Sequence, residues 1–303
     1  MTSLDESVVL AMADRAVTWL HTHLPHASMP PDVSADLVDS INDYKALGEL
    51  AVMASVIIHA LPDAMHQRAR DVLDFSWKEL HGGGLLYERQ LRHPTLTDPV
   101  ESYAPFASAG FHHAALEELL RHVHGLVAFK GTELYPNRRL GVANAQRLAG
   151  LPHPDNWQDL AAATWLGHLP EPWAIDWDDA YCVTHTVFHL ADWGRRPLEL
   201  PAPAIVYLER WLPVWLDAWS ETQEWDLVGE LLIVDLCLPH PLFPPEFWLL
   251  IADAQHVSGF VARKGTAEPT PQADPASEFR RHQHTTCVVA IAAALAASRL
   301  RDV

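Results

Sequence analysis

Apolar residues recur at intervals of three and four positions along almost the whole chain, which is the spacing of one face of an α-helix. The first such segment is 8–24, and the next two begin at the potential N-caps Ser34 and Asp63. Further helices are predicted at 103–124, 137–150, 156–168, 178–193, 203–219, 223–238, 244–260 and 277–301. No segment alternates like a strand, and the Asn-Gly and Asp-Gly pairs of tight hairpins are missing. The sequence therefore predicts an all-α protein.

The predicted helices carry a weak internal repeat. Gly48-Glu49-Leu50 recurs as Gly229-Glu230-Leu231, and His185 and His284 each precede a similar apolar run. A helix that is apolar on most faces must be buried on all sides. The alternation of such helices with amphipathic ones predicts an α/α toroid, a ring of helical hairpins whose inner helices start at one shared mouth. An irregular helical bundle is the alternative. In either case we expect one domain over 1–303.

Prolines and glycines mark the connections between the predicted helices. Most of the 23 prolines lie between the periodic segments, where they end helices rather than interrupt them. Gly82-Gly83-Gly84 is interpreted as a helix terminator. The longest irregular stretch runs from Lys264 to Ala276, and we expect it to be a mobile surface loop.

The composition limits the partners. With 39 acidic and 21 basic side chains the net charge is -18, so nucleic acid is not expected to bind. No run of about 18 apolar residues predicts a membrane span, and the N-terminus lacks the pattern of a signal peptide. Three cysteines are too few for a disulfide framework, so we expect a cytoplasmic protein. A small molecule or a peptide is the expected partner.

One predicted helix carries three potential metal ligands. His185, His189 and Asp192 are spaced by four and three residues, which places them on one helix face. Two imidazoles and a carboxylate in this arrangement can bind a divalent metal and leave positions open for water or substrate. Alternatively, Asp192 pairs with a local partner and His189 lines the core.

A second possible metal site combines two helices. Cys182 precedes His185 by three residues, and His284 precedes Cys287 by three. If the two helices face each other, these four side chains make a tetrahedral zinc site. Zinc is therefore a candidate cofactor, although 19 histidines also make chance pairs common.

Glu49 and Glu230 lie among small and apolar residues, where a carboxylate needs a proton, a hydrogen bond or a cation. His113, His185 and His284 are candidate partners on neighbouring helices. Such pairs serve general acid–base catalysis, and they also occur in purely structural polar clusters. Their convergence at one mouth would favour a site.

The segment Asp176-Trp177-Asp178-Asp179 precedes a predicted helix, where carboxylates cap the helix and meet its dipole favourably. It also resembles the D-x-D-D acid motif of class II terpene cyclases. That resemblance implies that Asp178 protonates an isoprenoid double bond.

The run from Thr184 to Gly194 has the form T-H-x-x-F-H-x-x-D-W-G and resembles a bacterial helical family of unknown function, in which T-H-x-x-F-Y-x-x-D-F-G is expected. Further matches are Leu47–Ala51, Arg138–Leu148 and His284-Thr285-Thr286. His189 stands where the family pattern has Tyr. The resemblance therefore favours a smaller set of site residues, namely Glu49, His185, Asp192 and His284.

The expected architecture is also similar to that of lanthionine cyclases, α/α toroids that use zinc to activate a peptide thiolate. The Trp-Cys-x-Gly and Cys-His-Gly sequences of those enzymes are missing here, so the similarity is architectural only.

Taken together, these patterns favour a natural-product tailoring enzyme that performs a cyclisation or an addition on a modified peptide or similar intermediate, in which partner biosynthetic proteins could take part. His185 and His284 are the expected acid/base or metal-binding imidazoles. Asp192 is the expected orienting carboxylate, and Glu49 and Glu230 are further acid/base groups. Two alternatives remain open: protonation by Asp178 as in terpene cyclases, and a non-catalytic helical protein that binds a ligand or peptide.

Overall fold

The computed structural model of the protein describes residues 4–30, 33–35, 44–61, 65–154, 156–266 and 274–301. Within these residues the chain forms helices and no strand, which confirms the predicted all-α class. The α-helices are α1 (Glu6–Thr22), α2 (Lys45–Ala60), α3 (His66–Glu79), α4 (Gly84–Arg92), α5 (Asp98–Ser108), α6 (Ala114–Gly125), α7 (Val127–Lys130), α8 (Pro136–Leu148), α9 (Trp157–Ala162), α10 (Trp177–Ala191), α11 (Ala202–Glu221), α12 (Trp225–Cys237), α13 (Pro245–Ala254) and α14 (Pro275–Arg301).

Six of the described helices contact one another in a closed cycle. The order is α2, α5, α8, α10, α12 and α14, and α14 packs back against α2. We call these six the inner helices. Six of the others pack against them: α1 on α14, α3 on α2, α4 on α5, α9 on α8 and α10, and α11 and α13 on α12. The helix α6 packs on α4, and α7 packs on α6. This order of contacts agrees with the toroid, which stays a prediction.

The inner helices owe their position to their apolar surfaces. Every residue of α12 is buried, and so is the run from Thr285 to Ala297 in α14. Helices of this kind must be enclosed by other helices. Gly229 allows α14 to approach α12 closely, since a Cβ at this position would lie 2.9 Å from Cγ1 of Val288. The same enclosure buries the carboxylates of Asp226 and Glu230.

Several helix boundaries differ from those predicted. The predicted helix at 103–124 is two helices, and Gly110 lies in the turn between them with a φ of 89°. The predicted helix at 244–260 ends at Ala254, and the Gln255 side chain then donates hydrogen bonds to the carbonyls of Met12 and Gly259.

A helix ends before the glycine run as predicted, and the run also leads into a helix that the sequence did not predict. Gly82 and Gly83 have φ values of 63° and 90° and form a tight turn, after which Gly84 begins α4. The loop predicted over 264–276 ends where α14 begins at Pro275, and 267–273 lie outside the described residues. The cap predicted at Asp63 also lies outside them. The helix expected from Ser34 onward is described only from Lys45.

None of the described helices combines the length and the apolar character that a membrane crossing requires.

Candidate functional site

A cavity of about 470 Å³ is lined by residues of the inner helices α2, α5, α8 and α14. The early turns of three of these helices supply its charged side chains, and α14 adds an imidazole: Lys45, Glu49, Asp98, Glu101, Arg138 and His284. Apolar side chains also line the cavity: Val52, Trp193, Val288 and Ile291. Since Ile291 follows His284 by seven residues, the apolar lining reaches about 10 Å further along α14. The cavity is thus polar at one end and apolar at the other.

His284 lies between two carboxylates. Its Nδ1 is 2.9 Å from Oε1 of Glu49, in an ion pair that is not aligned as a hydrogen bond. Its Nε2 is 3.5 Å from Oδ2 of Asp226. Lys45 adds a second cation, 3.4 Å from Glu49. The two carboxylates come from α2 and α12, so the imidazole of α14 joins three inner helices.

The electrostatics make His284 a cation. Burial alone would lower its pKa, but the charges of Glu49 and Asp226 raise the pKa well above the usual value. Burial would conversely raise the pKa of Asp226, yet the hydrogen bond and charge of His284 lower it to about 2. The hydroxyls of Tyr181 and Thr285 also donate to Asp226, at 2.5 and 2.8 Å. Burial would also raise the pKa of Glu49, but the charge of His284 lowers it below the usual value.

Glu230 has the opposite charge state from its neighbour Asp226. Its side chain is buried, and the Thr184 hydroxyl donates to Oε2 at 2.5 Å. Burial, and next the negative charge of Asp226, raises its pKa to about 8. Glu230 is therefore mainly a neutral carboxylic acid at pH 7. A carboxylic acid of this kind can donate a proton that an ionised carboxylate lacks.

His185 is the neutral counterpart of His284. Its Nδ1 is 2.9 Å from the backbone carbonyl of Tyr181, to which the N–H donates. Burial, together with the charges of His284 and Lys45, lowers the pKa of His185 to about 4. With Nδ1 protonated, Nε2 carries a lone pair. Nδ1 of His185 is also 3.7 Å from Oε2 of Glu230, so the two histidines share this neighbour.

Among the described residues, Asp226, Glu230 and His284 are the side chains that could together hold a metal ion, since their ligand atoms all lie within 4.8 Å of one another. Both nitrogens of His284, however, face carboxylate oxygens. This is the arrangement of a doubly protonated imidazole, whereas a metal ligand needs one bare nitrogen.

The predicted zinc tetrad does not form in the described structure. His185 and His284 lie near each other, but Cys182 contacts Asn137, whose Nδ2 is 3.6 Å from the sulfur. Cys287 is buried, and the side-chain amide of Gln283 donates to its sulfur at 3.4 Å. Burial raises the pKa of both thiols, so neither is poised as a thiolate ligand.

The predicted triad of His185, His189 and Asp192 does not form either. His189 packs against Gly141, where a Cβ would come within 3.0 Å of its Nε2. Asp192 ends α10 with a φ of 48°, so the helical spacing behind the prediction stops at this residue. Its Oδ1 instead lies 2.9 Å from Nη2 of Arg195. Asp192 therefore ties down the end of α10 and does not orient an imidazole.

The remaining predicted site residues lie apart from the cluster. Asp178 is exposed in the first turn of α10, and Asp176 caps that helix by accepting a hydrogen bond from the N–H of Asp179 at 2.9 Å. His113 caps α6 through the N–H of Leu116 at 3.0 Å. The contact of Asp176 is the capping role that the sequence offered for that segment, whereas the capping role of His113 was not predicted.

We expect Asp192→Ala to lower the free energy of unfolding by about 2 kcal/mol, because it leaves the largely buried Arg195 without its anion. Arg195 keeps its hydrogen bond to Ser55 at 2.8 Å, which limits the loss. Urea unfolding measures the change. The protonation of His284, followed by histidine NMR, should stay as in the unchanged protein. A shift of His284 toward the neutral form would assign Asp192 to the cluster after all.

Sequence reasoning missed Asp226 as a site residue, together with the hydroxyls that hold the carboxylates: Tyr181, Thr184 and Thr285. One signal was available. Asp226 and Glu230 are four residues apart, on one face of a segment that is otherwise almost wholly apolar. Two carboxylates placed in this way have to share one buried environment.

The fold and the site define an all-α protein with a histidine–carboxylate cluster beside a cavity among its inner helices. Residues 13–294 match the domain of unknown function DUF6895, and the chain belongs to this family. No curated protein and no solved structure matches it. The expected membership in a family of unknown function is thus confirmed, while the motif written for that family and its bacterial origin stay predictions.

Proposed function

We propose that this protein is an enzyme that transfers protons on a small substrate bound in the cavity, in an addition to, or a cyclisation onto, an activated double bond. One observation carries the proposal: of two neighbouring histidines, His284 lies between two carboxylates, which favour its cation, while His185 donates to a backbone carbonyl and has no carboxylate within 3.5 Å among the described residues, which favours a neutral base. Environments that separate the pKa values of neighbouring groups are typical of acid/base pairs in active sites.

The cavity supports a substrate with a polar reacting end and an apolar body. Its size suits a small molecule or one side chain of a peptide. Val52, Trp193 and Ile291 would surround the apolar part, while Lys45 and His284 face the polar end. A natural-product intermediate, such as a peptide with a dehydrated residue, has this chemistry.

In the proposed reaction His185 Nε2 takes the proton of the attacking thiol, hydroxyl or amine as the nucleophile bonds to the far carbon of the double bond. The π electrons move onto the conjugated carbonyl oxygen. The His284 imidazolium stabilises this negative charge, and its Nδ1 proton, which is not aligned toward Glu49 as a hydrogen bond, is the one that the carbon next to the carbonyl receives. Glu230, whose Oε2 is 3.7 Å from Nδ1 of His185 and which also lies beside His284, takes the Nδ1 proton of His185 and passes its own proton to His284. Proton exchange of His185 with water then moves its proton from Nε2 back to Nδ1. Every proton and electron pair is accounted for within substrate and protein.

The test uses dehydroalanine peptides that carry a free cysteine, incubated with the protein in D₂O. Ring closure leaves one deuteron at the carbon next to the carbonyl, which mass spectrometry detects. We expect His185→Gln and His284→Gln each to reduce the rate by about 100-fold. His189→Gln and Asp178→Asn are the matched controls and should retain it. Binding of the peptide without turnover would contradict the proposal and favour a non-catalytic binding protein.

A further inference from the structure

A second cavity lies on the outer side of α8, between α6, α7 and α9. It measures about 460 Å³ and shares no lining residue with the cavity among the inner helices. Phe129, Leu134 and Val142 line it and belong to a small hydrophobic cluster that is separate from the main core and is completed by Val123 and Leu119. A space of this size with an apolar wall fits a small organic molecule.

The charge of this cavity is opposite to that of the protein. Arg121, Lys130 and Arg139 line it, and none of the described lining residues is acidic. Within the described residues no carboxylate forms an ion pair with any of these three cations. In a chain with a net charge of -18, three cations around one apolar cavity without an acid are unexpected. Such a surface favours an anion.

A buried histidine supplies an independent sign of a ligand. His124 lines the cavity, is only 6 % exposed, and stacks on Phe129 with ring centroids 4.0 Å apart. The Gln146 side-chain N–H donates to its Nδ1 at 3.0 Å, so the proton of the neutral ring is on Nε2. Burial lowers the pKa of His124 to about 4, which keeps the ring neutral. This Nε2–H has no acceptor among the described residues.

A buried donor without an acceptor lowers the stability of the fold, and a ligand oxygen that accepts from it would remove that loss. We infer that the cavity between α6 and α9 binds an organic anion, a carboxylate or phosphate on an apolar body. The anionic oxygens would accept from His124 Nε2–H and pair with Arg121, Lys130 and Arg139. The apolar body would pack against Phe129 and its neighbours. This site is separate from the proposed catalytic cluster and does not depend on it.

Calorimetric titration of the full chain with 2-naphthoate, 1-naphthyl phosphate and neutral 2-naphthol tests the inference. We expect one molecule of an anion to bind per chain, at least 10-fold more tightly than 2-naphthol. The affinity should fall as NaCl is raised from 50 to 500 mM in the assay. The tighter of the two anions identifies whether a carboxylate or a phosphate is the preferred group.

Variants test the hydrogen-bond donor of His124 and the charges of Arg121 and Arg139 separately. His124→Phe keeps the stacked ring and removes the donor, and it should weaken binding about 10-fold. Arg121→Gln combined with Arg139→Gln should weaken binding by a similar factor or more without touching a buried group. Arg280→Gln, on α14, is the matched control and should bind as the unchanged protein does. Equal affinity for 2-naphthol, no binding of either anion, or full affinity in the double variant would each overturn the inference.

Discussion

His284→Ala will lower the free energy of unfolding by about 3 kcal/mol at pH 7. The reason is that two carboxylates lose their shared cation, and Asp226 among them is only 2 % exposed in its side chain. Breaking one partner out of a buried ion pair costs about 3–5 kcal/mol. We expect the lower end of this range, because 39 % of the His284 side chain is accessible and water screens part of the interaction.

A double-mutant cycle separates the loss of the ion pair from the loss of the imidazole side chain itself. Asp226→Asn removes the stranded charge, so the double variant Asp226→Asn/His284→Ala should be more stable than His284→Ala alone. Urea unfolding of the four proteins in this cycle measures the coupling between the two side chains. Because the folded-state pKa of His284 is raised, its contribution is fully present below about pH 6.5 and is lost as the pH rises through the folded pKa. Additive effects of the two changes would show that the ion pair does not stabilise the fold.

Glu230→Gln should act in the opposite direction and stabilise the protein. The folded-state pKa of Glu230 is about 8, whereas its ordinary value is 4.5, so the folded protein holds a proton that the unfolded chain releases. The stabilisation that the protonated acid contributes to the fold is fully present below pH 4.5 and is lost as the pH rises through 8. Compared with the Gln variant, which has no such proton, the native protein loses about 1.4 kcal/mol of its free energy of unfolding for each pH unit between pH 4.5 and pH 8. At pH 7 the difference amounts to roughly 3 kcal/mol.

The measurement compares Glu230→Gln with the unchanged protein from pH 5 to pH 9 by urea unfolding. The difference between the two isolates Glu230 from His185 and His189, whose lowered pKa values make stability rise with pH up to about 6.5. Glu246→Gln, at an exposed position, is the matched control and should show a nearly constant difference. A Gln variant that is less stable than the native protein at pH 8 would contradict a buried neutral Glu230.

A residue that costs stability is retained for some other reason, and function is the common one. Glu230 could be exchanged for an uncharged side chain at a gain in stability, yet it lies between the two histidines of the cluster. This cost supports an active role for the cluster, as the proposed proton transfer requires. His284 and Asp226 alone would form a satisfied ion pair without Glu230.

Hydrophobic periodicity predicted many of the helices because long helices such as α12 and α14 bury mostly apolar side chains. The repeat of Gly-Glu-Leu also identified Glu49 and Glu230, since a carboxylate in an apolar helix requires a partner. The helix α4 was missed because glycines both end helices and allow tight turns between them. Which role they take depends on the packing of the chain that follows.

The wrong site assignments have a different physical cause. Helical spacing placed Asp192 on the face of His185, but that spacing holds only while the helix continues, and α10 ends at Asp192. Spacing along a helix also does not show how deeply a side chain is buried. Cys287, one turn beyond His284, was therefore grouped with it although its thiol is buried. Asp226 was passed over because an acidic residue in a first helical turn is ordinary.

The protonation states of the two histidines are the most direct test. Nitrogen-15 NMR of histidine-labelled protein at pH 7.5 distinguishes a doubly protonated ring from each neutral tautomer, and the variants His185→Gln and His284→Gln assign the signals. We predict that His284 carries protons on both nitrogens and that His185 is neutral with its proton on Nδ1. A neutral His284 with one bare nitrogen, or a protonated His185, would contradict the acid–base cluster on which the proposed function depends.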